Sequence, residues 1–294
     1  MANNKTLLIT GCNGQVGRSL SALDWPGYNV VSVGRDELDL VDVDQIKDRL
    51  RSIRPDVVIN AAAYTAVDLA ENEQHKAYAI NAVAPGVIAQ ILAEKNGLLV
   101  HYSTDYVFSG ESSSPYRESD ETNPNSVYGC SKLLGEQNIQ KSDCRHLILR
   151  TSWVYSEFGK NFLLTMLRLA NQRPELRVVN DQIGCPTYAG DLAQLTKDML
   201  QKIDVNVFDQ SAIYHLGNTG STTWYDFTCA IMDRSKLHVN IVPVKTTEFP
   251  TPAKRPAYSV LDKSKIEADF SLAIPTWKDG LERCLQRITN LNAE

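Results

Sequence analysis

The stretch Leu7-Leu8-Ile9-Thr10-Gly11-Cys12-Asn13-Gly14-Gln15-Val16-Gly17 decides the fold. A short apolar run feeds three glycines at three-residue spacing, and a helical pattern follows. In that setting Gly11 permits a tight turn, Gly14 lets the backbone approach a pyrophosphate, and Gly17 lets the helix pack close to the strand. Gln15 and Val16 complete the turn. The helix start there offers unpaired N–H groups and a partial positive charge to phosphates. Glycines alone mark any turn; a strand before and a helix after make this a nucleotide-binding expectation.

The same alternation continues along the chain. Val30–Val33 reads as a second strand, Val41–Ile53 as a helix ended near Pro55, and Asp56–Asn60 as a third, buried strand. A helical rhythm runs from Ala70 to Lys95 and closes at Gly97. Leu98–Tyr102 is a fourth strand, Asn125–Gln140 a helix and Leu147–Leu149 a fifth strand. Short connections between such units predict parallel strands with right-handed crossovers, an α/β doubly wound sheet of Rossmann type. Beyond Arg150 prolines punctuate the rhythm, with helices at Asn161–Asn171, Asp191–Gln201 and Trp224–Ser235 and a strand at Arg177–Asn180. The pattern predicts a dinucleotide-binding domain over 1–153, to which 183–210 return. A smaller substrate-binding lobe, 154–182 and 211–294, is expected to close over the carboxyl edge of the sheet, where ligands bind in such folds.

Composition narrows the class. The 294 residues are 43% hydrophobic and 22% charged, ordinary for a globular protein, and a net charge of −5 argues against nucleic acid or an anionic membrane as partner. Six scattered cysteines form no Cys-x-x-Cys pair, so reduced thiols are expected rather than disulfides or zinc. The first apolar run is too short for a signal peptide, and no stretch approaches the ~18 apolar residues of a membrane span. A cytoplasmic location is the expectation.

Two further motifs carry chemistry. In Tyr128-Gly129-Cys130-Ser131-Lys132 the phenol and the ammonium stand at i and i+4, on one face of the expected helix. A cation beside a tyrosine favours phenolate, and bringing the pKa from about 10 to about 7 takes roughly 4 kcal/mol. Ser103-Thr104-Asp105 follows the fourth strand at the carboxyl edge, where a hydroxyl can donate to a developing alkoxide. The same residue types also build turns and caps.

Taken in order, the glycine turn, the hydroxyl after strand four and Tyr-x-x-x-Lys on the next helix resemble the extended short-chain dehydrogenase/reductase superfamily. Four segments, Asn60–Asp68 (NAAAYTAVD), His101–Phe108 (HYSTDYVF), Arg150–Tyr155 (RTSWVY) and Asn180–Thr187 (NDQIGCPT), resemble the dTDP-4-dehydrorhamnose reductase family. The likeness continues through Thr251–Pro256 and Ser259–Asp262, nearly end to end. It implies reduction of the C4 ketone of a dTDP-4-keto-6-deoxyhexose, dTDP-4-dehydro-L-rhamnose, in nucleotide-sugar synthesis for surface polysaccharide. Tyr128 would be the general acid, Lys132 would hold the nicotinamide ribose and tune the phenol, and Thr104 would hydrogen-bond the reacting oxygen beside Asp105. Asp39 and Leu40 would line the adenine pocket, and Ala62, Ala63 and Tyr64 the wall after strand three. Trp153 would pack on the sugar, with Asn161, Gln182 and Arg255 toward the diphosphate.

Arg35, after strand two, stands where a cation can meet a 2′-phosphate, and Gly34 offers no carboxylate to a free 2′-hydroxyl. NADP(H) is therefore favoured, with NAD(H) possible because Asp36 and Glu37 lie near. Some family members dimerise around a magnesium held by carboxylates; this chain has Ser19 and Gly190 in those places, with only Asp191 nearby. No metal is predicted, since a hard cation needs several oxygen ligands. Monomer and homodimer both stay open. Two alternatives also stay open: another nucleotide-sugar reductase or epimerase, and a non-catalytic regulator like the subunit of methionine adenosyltransferase that shares the fold. Asp105-Tyr106 after Thr104, where dehydratases carry Asp-Glu, speaks against a dehydratase.

Overall fold

Leu7, Leu8 and Ile9 are all fully buried because the sheet they enter is covered on both faces. The computed structural model describes residues 4–203, 205 and 211–291. The first half runs β1 (Lys5–Thr10), α1 (Gln15–Ser21), β2 (Tyr28–Val33), α2 (Val43–Ile53), β3 (Val57–Asn60), α3 (Val67–Ala70) and α4 (Gln74–Tyr78). A π-helical turn at Ala79–Val83 leads into α5 (Ala84–Ala93), then β4 (Leu98–Thr104), α6 (Val127–Gln140) and β5 (Arg145–Thr151). Next come β6 (Val154–Tyr155), α7 (Phe162–Ala170), β7 (Glu175–Val179), β8 (Ile183–Gly184), β9 (Thr187–Tyr188) and α8 (Ala189–Gln201). The chain ends through β10 (Ala212–His215), β11 (Thr222–Thr223), α9 (Trp224–Ser235), β12 (Asn240–Val244), α10 (Ser264–Phe270) and α11 (Trp277–Leu291).

Six parallel strands form the central sheet in the order β2-β1-β3-β4-β5-β10. Alternate residues serve opposite cores. Leu7, Ile9, Val57, Ile59, Leu98 and Val100 meet Leu20 of α1 and Leu192 and Met199 of α8. Leu8, Val58 and Leu99 meet Ile46 and Leu50 of α2 and Ile88 and Leu92 of α5. The period of two along each strand thus supplies both layers, which is why these strands read as unbroken apolar runs. The chain leaves β1 for β2 on one side and returns to β3 on the other, so a crevice opens between the ends of β1 and β3. Ligands bind at such a switch point.

A third core belongs to the lobe, where Leu163, Leu176, Val178, Phe227, Ile231, Trp277 and Leu281 pack together. Here β7 pairs with β12 and β8 with β11.

Several expectations need correction. Ala212–His215, assigned to the lobe, is the sixth strand of the sheet beside β5, and Ile266 and Phe270 of α10 pack on the same core. A four-residue edge strand gives too short an apolar signal to read. The expected limit at 210 lies outside the described residues. The helix expected over 70–95 is split: α3 ends at Ala70, and a continuous helix begins at Gln74. That helix, Gln74–Ala93, has 20 residues and is long and apolar enough to cross a membrane, contrary to the sequence expectation. Its apolar residues Ala84, Ile88, Ala89 and Leu92 are buried against the sheet, which explains the composition without a membrane. Strand β4 extends to Thr104, so Ser103 and Thr104 are its last two residues rather than its loop.

Beneath that strand end lies a buried ion pair. Arg150 of β5 binds Glu136 of α6 through Nη2 at 2.7 Å and Nε at 3.0 Å, and Ser103 donates to the same carboxylate. Both charged side chains are almost fully enclosed, and Arg150 also lies over the Phe108 ring at 5.0 Å. Removing one partner strands the other charge in a dry interior. Arg150→Ala is expected to cost about 3–5 kcal/mol of stability, read as a lower midpoint in urea unfolding; an unchanged midpoint contradicts this account.

Candidate active site

The turn after β1 is built on contacts that exclude side chains. Gly11 has φ of +70°, and a Cβ there would sit 2.7 Å from the Ala62 backbone. A Cβ on Gly17 would strike the Gly11 carbonyl, so α1 rests directly on the turn. Gly14 caps α1 without a side chain, leaving the N–H groups of the first turn open. The missing Cβ atoms form a cradle suited to a pyrophosphate, and the residues present therefore fit a dinucleotide.

Gln15 directs its side chain to the lobe, accepting from Ser156 and Asn161 at 3.0 Å each. Asn161 is expected among the diphosphate ligands, but it caps α7 by accepting from Leu164 N–H at 3.0 Å. Its amide NH₂ donates to Gln15 and to the Ser156 and Phe158 carbonyls. Asparagine is a strong helix cap, and Asn161 serves as one here.

After β2, Arg35 is exposed and lies 3.5 Å from Asp39. The Gly34 N–H donates to Glu37, while Leu40 is buried in the sheet core. After β3, Ala62 touches the glycine turn as described. Tyr64 is locked by Asn81, which accepts from its N–H at 2.8 Å and donates to its carbonyl at 3.0 Å. Asn81 lies within the π-helical turn, a distortion that often marks functional sites.

Thr104 and Tyr128 meet. Helix α6 starts at Ser126, whose hydroxyl accepts from Gly129 N–H at 3.1 Å, and this puts Tyr128 in its first turn facing the end of β4. Burial holds the Tyr128 phenol above its ordinary value, and a hydrogen bond to Thr104 opposes this. Thr104 also donates to Asp105 at 3.0 Å.

Lys132 shares the helix face, but its side-chain nitrogen turns elsewhere, donating to the Tyr102 carbonyl at 2.6 Å and lying 3.1 Å from His101 Nε2. The expected depression of the phenol is corrected by that geometry. Burial is the largest influence on Tyr128, and the neighbouring Asp105 carboxylate raises it further.

Tyr106 packs edge-on against Tyr128, ring centres 5.4 Å apart, and borders a cavity of about 410 Å³. Arg255 lines the cavity and is already engaged, with Asp68 at 2.6 Å and the Tyr106 hydroxyl at 3.0 Å. Trp153 lines it too, with φ of +48°, an uncommon backbone for a bulky residue. Its ring stacks on Trp224 at 3.4 Å, so one indole face expected to meet sugar is covered by a second indole. Gln182 accepts from Trp224 Nε1 at 3.2 Å and donates to Thr246. Sequence reasoning missed Tyr106, Asp68, Arg177 and Trp224. The first two lie inside segments that carry the resemblance, whereas Arg177 and Trp224 sit in elements read only for secondary structure.

Asp191, considered for a metal, is bound by Arg283 at 2.7 and 2.9 Å and by Asn218 at 2.7 Å. Among the described residues no three His, Cys, Asp or Glu side chains gather in a metal-ligating group.

A glycine cradle at the switch point, with a tyrosine–threonine pair whose neighbour Tyr106 lines a cavity, defines an NAD(P)-dependent oxidoreductase of the Rossmann class. Residues 5–290 match the model of the RmlD substrate binding domain family. The chain is 40% identical to the dTDP-4-dehydrorhamnose reductase of Escherichia coli K12 over 98% of its own length and 99% of that protein. It is also 40% identical to a spore coat polysaccharide biosynthesis protein of Bacillus subtilis, over 95% and 96% of the two chains. A crystal structure of dTDP-4-dehydrorhamnose reductase from Bacillus anthracis in complex with NADP superposes with a TM-score of 0.91 at 37% identity, covering 97% of this chain and 99% of that one. The chain belongs to the dTDP-4-dehydrorhamnose reductase family.

Asp105 gives a test of the site's burial. Desolvation raises its carboxyl from 3.8 to about 6, against hydrogen bonds that include the one from Thr104. A raised folded-state value stabilises the protein below pH 3.8, and that contribution is lost as pH rises through 6. Between pH 4 and 6.5 the wild type is expected to lose about 2 kcal/mol relative to Asp105→Asn, read as the difference in their unfolding free energies. Parallel curves would show that Asp105 is not desolvated.

Proposed function

We propose that this chain reduces the C4 ketone of dTDP-4-dehydro-L-rhamnose to dTDP-L-rhamnose with NADPH, in the cytoplasm, for a surface polysaccharide. The observation that carries the reading is the Thr104–Tyr128 pair, packed through Tyr106 against a cavity of about 410 Å³. NADPH, held by the cradle and by Arg35 at its 2′-phosphate, supplies a hydride to C4 of the sugar when bound. The relative solved with NADP supports this choice of cofactor.

The protein's own part is to supply a proton and to stabilise charge. Reduction consumes a proton at the ketone oxygen, so Tyr128 must enter the step as a neutral phenol. Burial keeps it protonated at neutral pH, the form that reduction needs. As charge grows on the oxygen the phenol proton passes to it, and the Thr104 hydroxyl turns its one proton from Asp105 to donate a second hydrogen bond. Each such donor contributes ~3 kcal/mol in sites of this kind. Arg255 and Arg177 line the cavity and suit the two phosphates of a nucleotide diphosphate, where guanidinium geometry matches phosphate oxygens. Trp153 with Trp224 offers the sugar an apolar wall.

Tyr128→Phe is expected to lower kcat by about 10²–10⁴-fold while NADPH affinity stays near wild type, followed by reduced-nicotinamide absorbance and by fluorescence titration. Wild-type turnover surviving in that variant removes Tyr128 from the role. Cofactor binding by the wild type without turnover of any dTDP- or GDP-linked keto sugar would favour a regulatory protein. EDTA is expected to leave the rate intact, and a clear loss would contradict the metal-free reading.

A further inference from the structure

One buried titratable side chain next to the site has no part in the chemistry above. His101 is fully enclosed in β4, and its two ring nitrogens face the Asn60 amide nitrogen at 3.1 Å and the Lys132 ammonium nitrogen at 3.1 Å. Thr10, Asn60 and His101 stand directly opposite one another on β1, β3 and β4, the first two at the strand ends that border the crevice and His101 midway along its strand. Asn60 Oδ1 accepts from Thr10 Oγ1 at 2.7 Å and from the Ala62 N–H at 3.3 Å. Ala62 in turn touches the glycine turn. A continuous chain of contacts therefore links the pyrophosphate cradle to Lys132.

The chain has a definite sense of donation. A backbone N–H can only donate, so Ala62 fixes the oxygen of the Asn60 amide toward itself and turns the NH₂ group toward His101 Nδ1. Nδ1 must then accept, and a neutral imidazole carries its single proton on Nε2. That Nε2–H points at Lys132 Nζ, which can accept only as a free amine, because an ammonium has three donors and no lone pair. The arrangement suits a neutral amine that donates to the Tyr102 carbonyl and accepts from His101.

We propose that His101, oriented by Asn60, is a positioning residue that parks Lys132 as a neutral amine, so that Lys132 takes up its proton when it leaves His101 for the cofactor. This rests on the reading of Lys132 as the lysine that holds the nicotinamide ribose. The groups around it bring the amine form within reach near neutral pH. Burial draws Lys132 down to about 8, opposed by Glu136 one turn further along α6. Glu136 is itself tied to Arg150 of β5. Burial, the larger cause, holds His101 well below 6.5, so an imidazolium is excluded at neutral pH. Tyr128, above its ordinary value, titrates outside this range.

The decisive measurement needs no turnover. In ¹⁵N-histidine-labelled protein at pH 7, the His101 signal, assigned by its loss in His101→Gln, is expected to show Nε2 protonated and Nδ1 bare. A protonated Nδ1 or an imidazolium overturns the proposal, whatever the substrate proves to be. Asn60→Asp supplies a second arm. Its carboxylate keeps an acceptor for Thr10 and Ala62 but requires a proton on Nδ1, which turns the Nε2 lone pair toward Lys132 and favours the ammonium. The alkaline limb of kcat is then expected to move up by about one pH unit, a tenfold shift in the proton affinity of Lys132. A limb that stays in place, with the His101 proton moved to Nδ1, also overturns it.

Discussion

The whole site depends on the close approach of three backbones, the turn after β1, the segment after β3 and the start of α1. Gly11 and Gly17 make it possible, since each missing side chain is replaced by direct contact with a neighbouring peptide. Such contacts set the spacing between elements to within a fraction of an ångström, because protein interiors do not yield continuously. From that fixed point the register of the sheet does the rest. With Thr10 opposite Asn60 and Asn60 opposite His101, the end of β4 is placed relative to the cradle. Thr104 and Tyr128 inherit their position from β4 and α6.

The same economy appears in the polar interior. Glu136, Arg150 and Ser103 are satisfied largely by one another, just under the strand that carries Thr104. A buried ion pair contributes little net stability against an apolar substitute, but it tolerates few geometries. Its role here is to register α6 against β4 and β5, the elements whose ends hold the hydroxyl and the phenol.

The sequence made some of this readable and left some of it out of reach. Strands such as Leu7–Ile9 and Leu98–Tyr102 announce themselves, because a sheet covered on both faces demands uninterrupted apolar residues. The glycine turn is equally plain, since Gly11 has a backbone that other residues rarely adopt. Helical spacing placed Tyr128 and Lys132 on one face, but spacing says nothing of torsion angles; a long flexible side chain turned its nitrogen to β4 instead. Asn161 has the chemistry of a ligand and of a cap alike, and only coordinates distinguish them. The pairing of Trp153 with Trp224 joins residues 71 positions apart by number, beyond any local pattern. Short edge elements such as β10 carry too few apolar residues to be told from loop.

Arg255 has a consequence of its own. Its guanidinium is half of a salt link with Asp68 and also donates to Tyr106, so the cavity wall is electrically balanced before any anion arrives. An incoming phosphate group must therefore compete with a resident carboxylate, and singly charged or weakly held anions gain little by doing so. Released Asp68 lies across the same wall, where it repels any second anion placed close by.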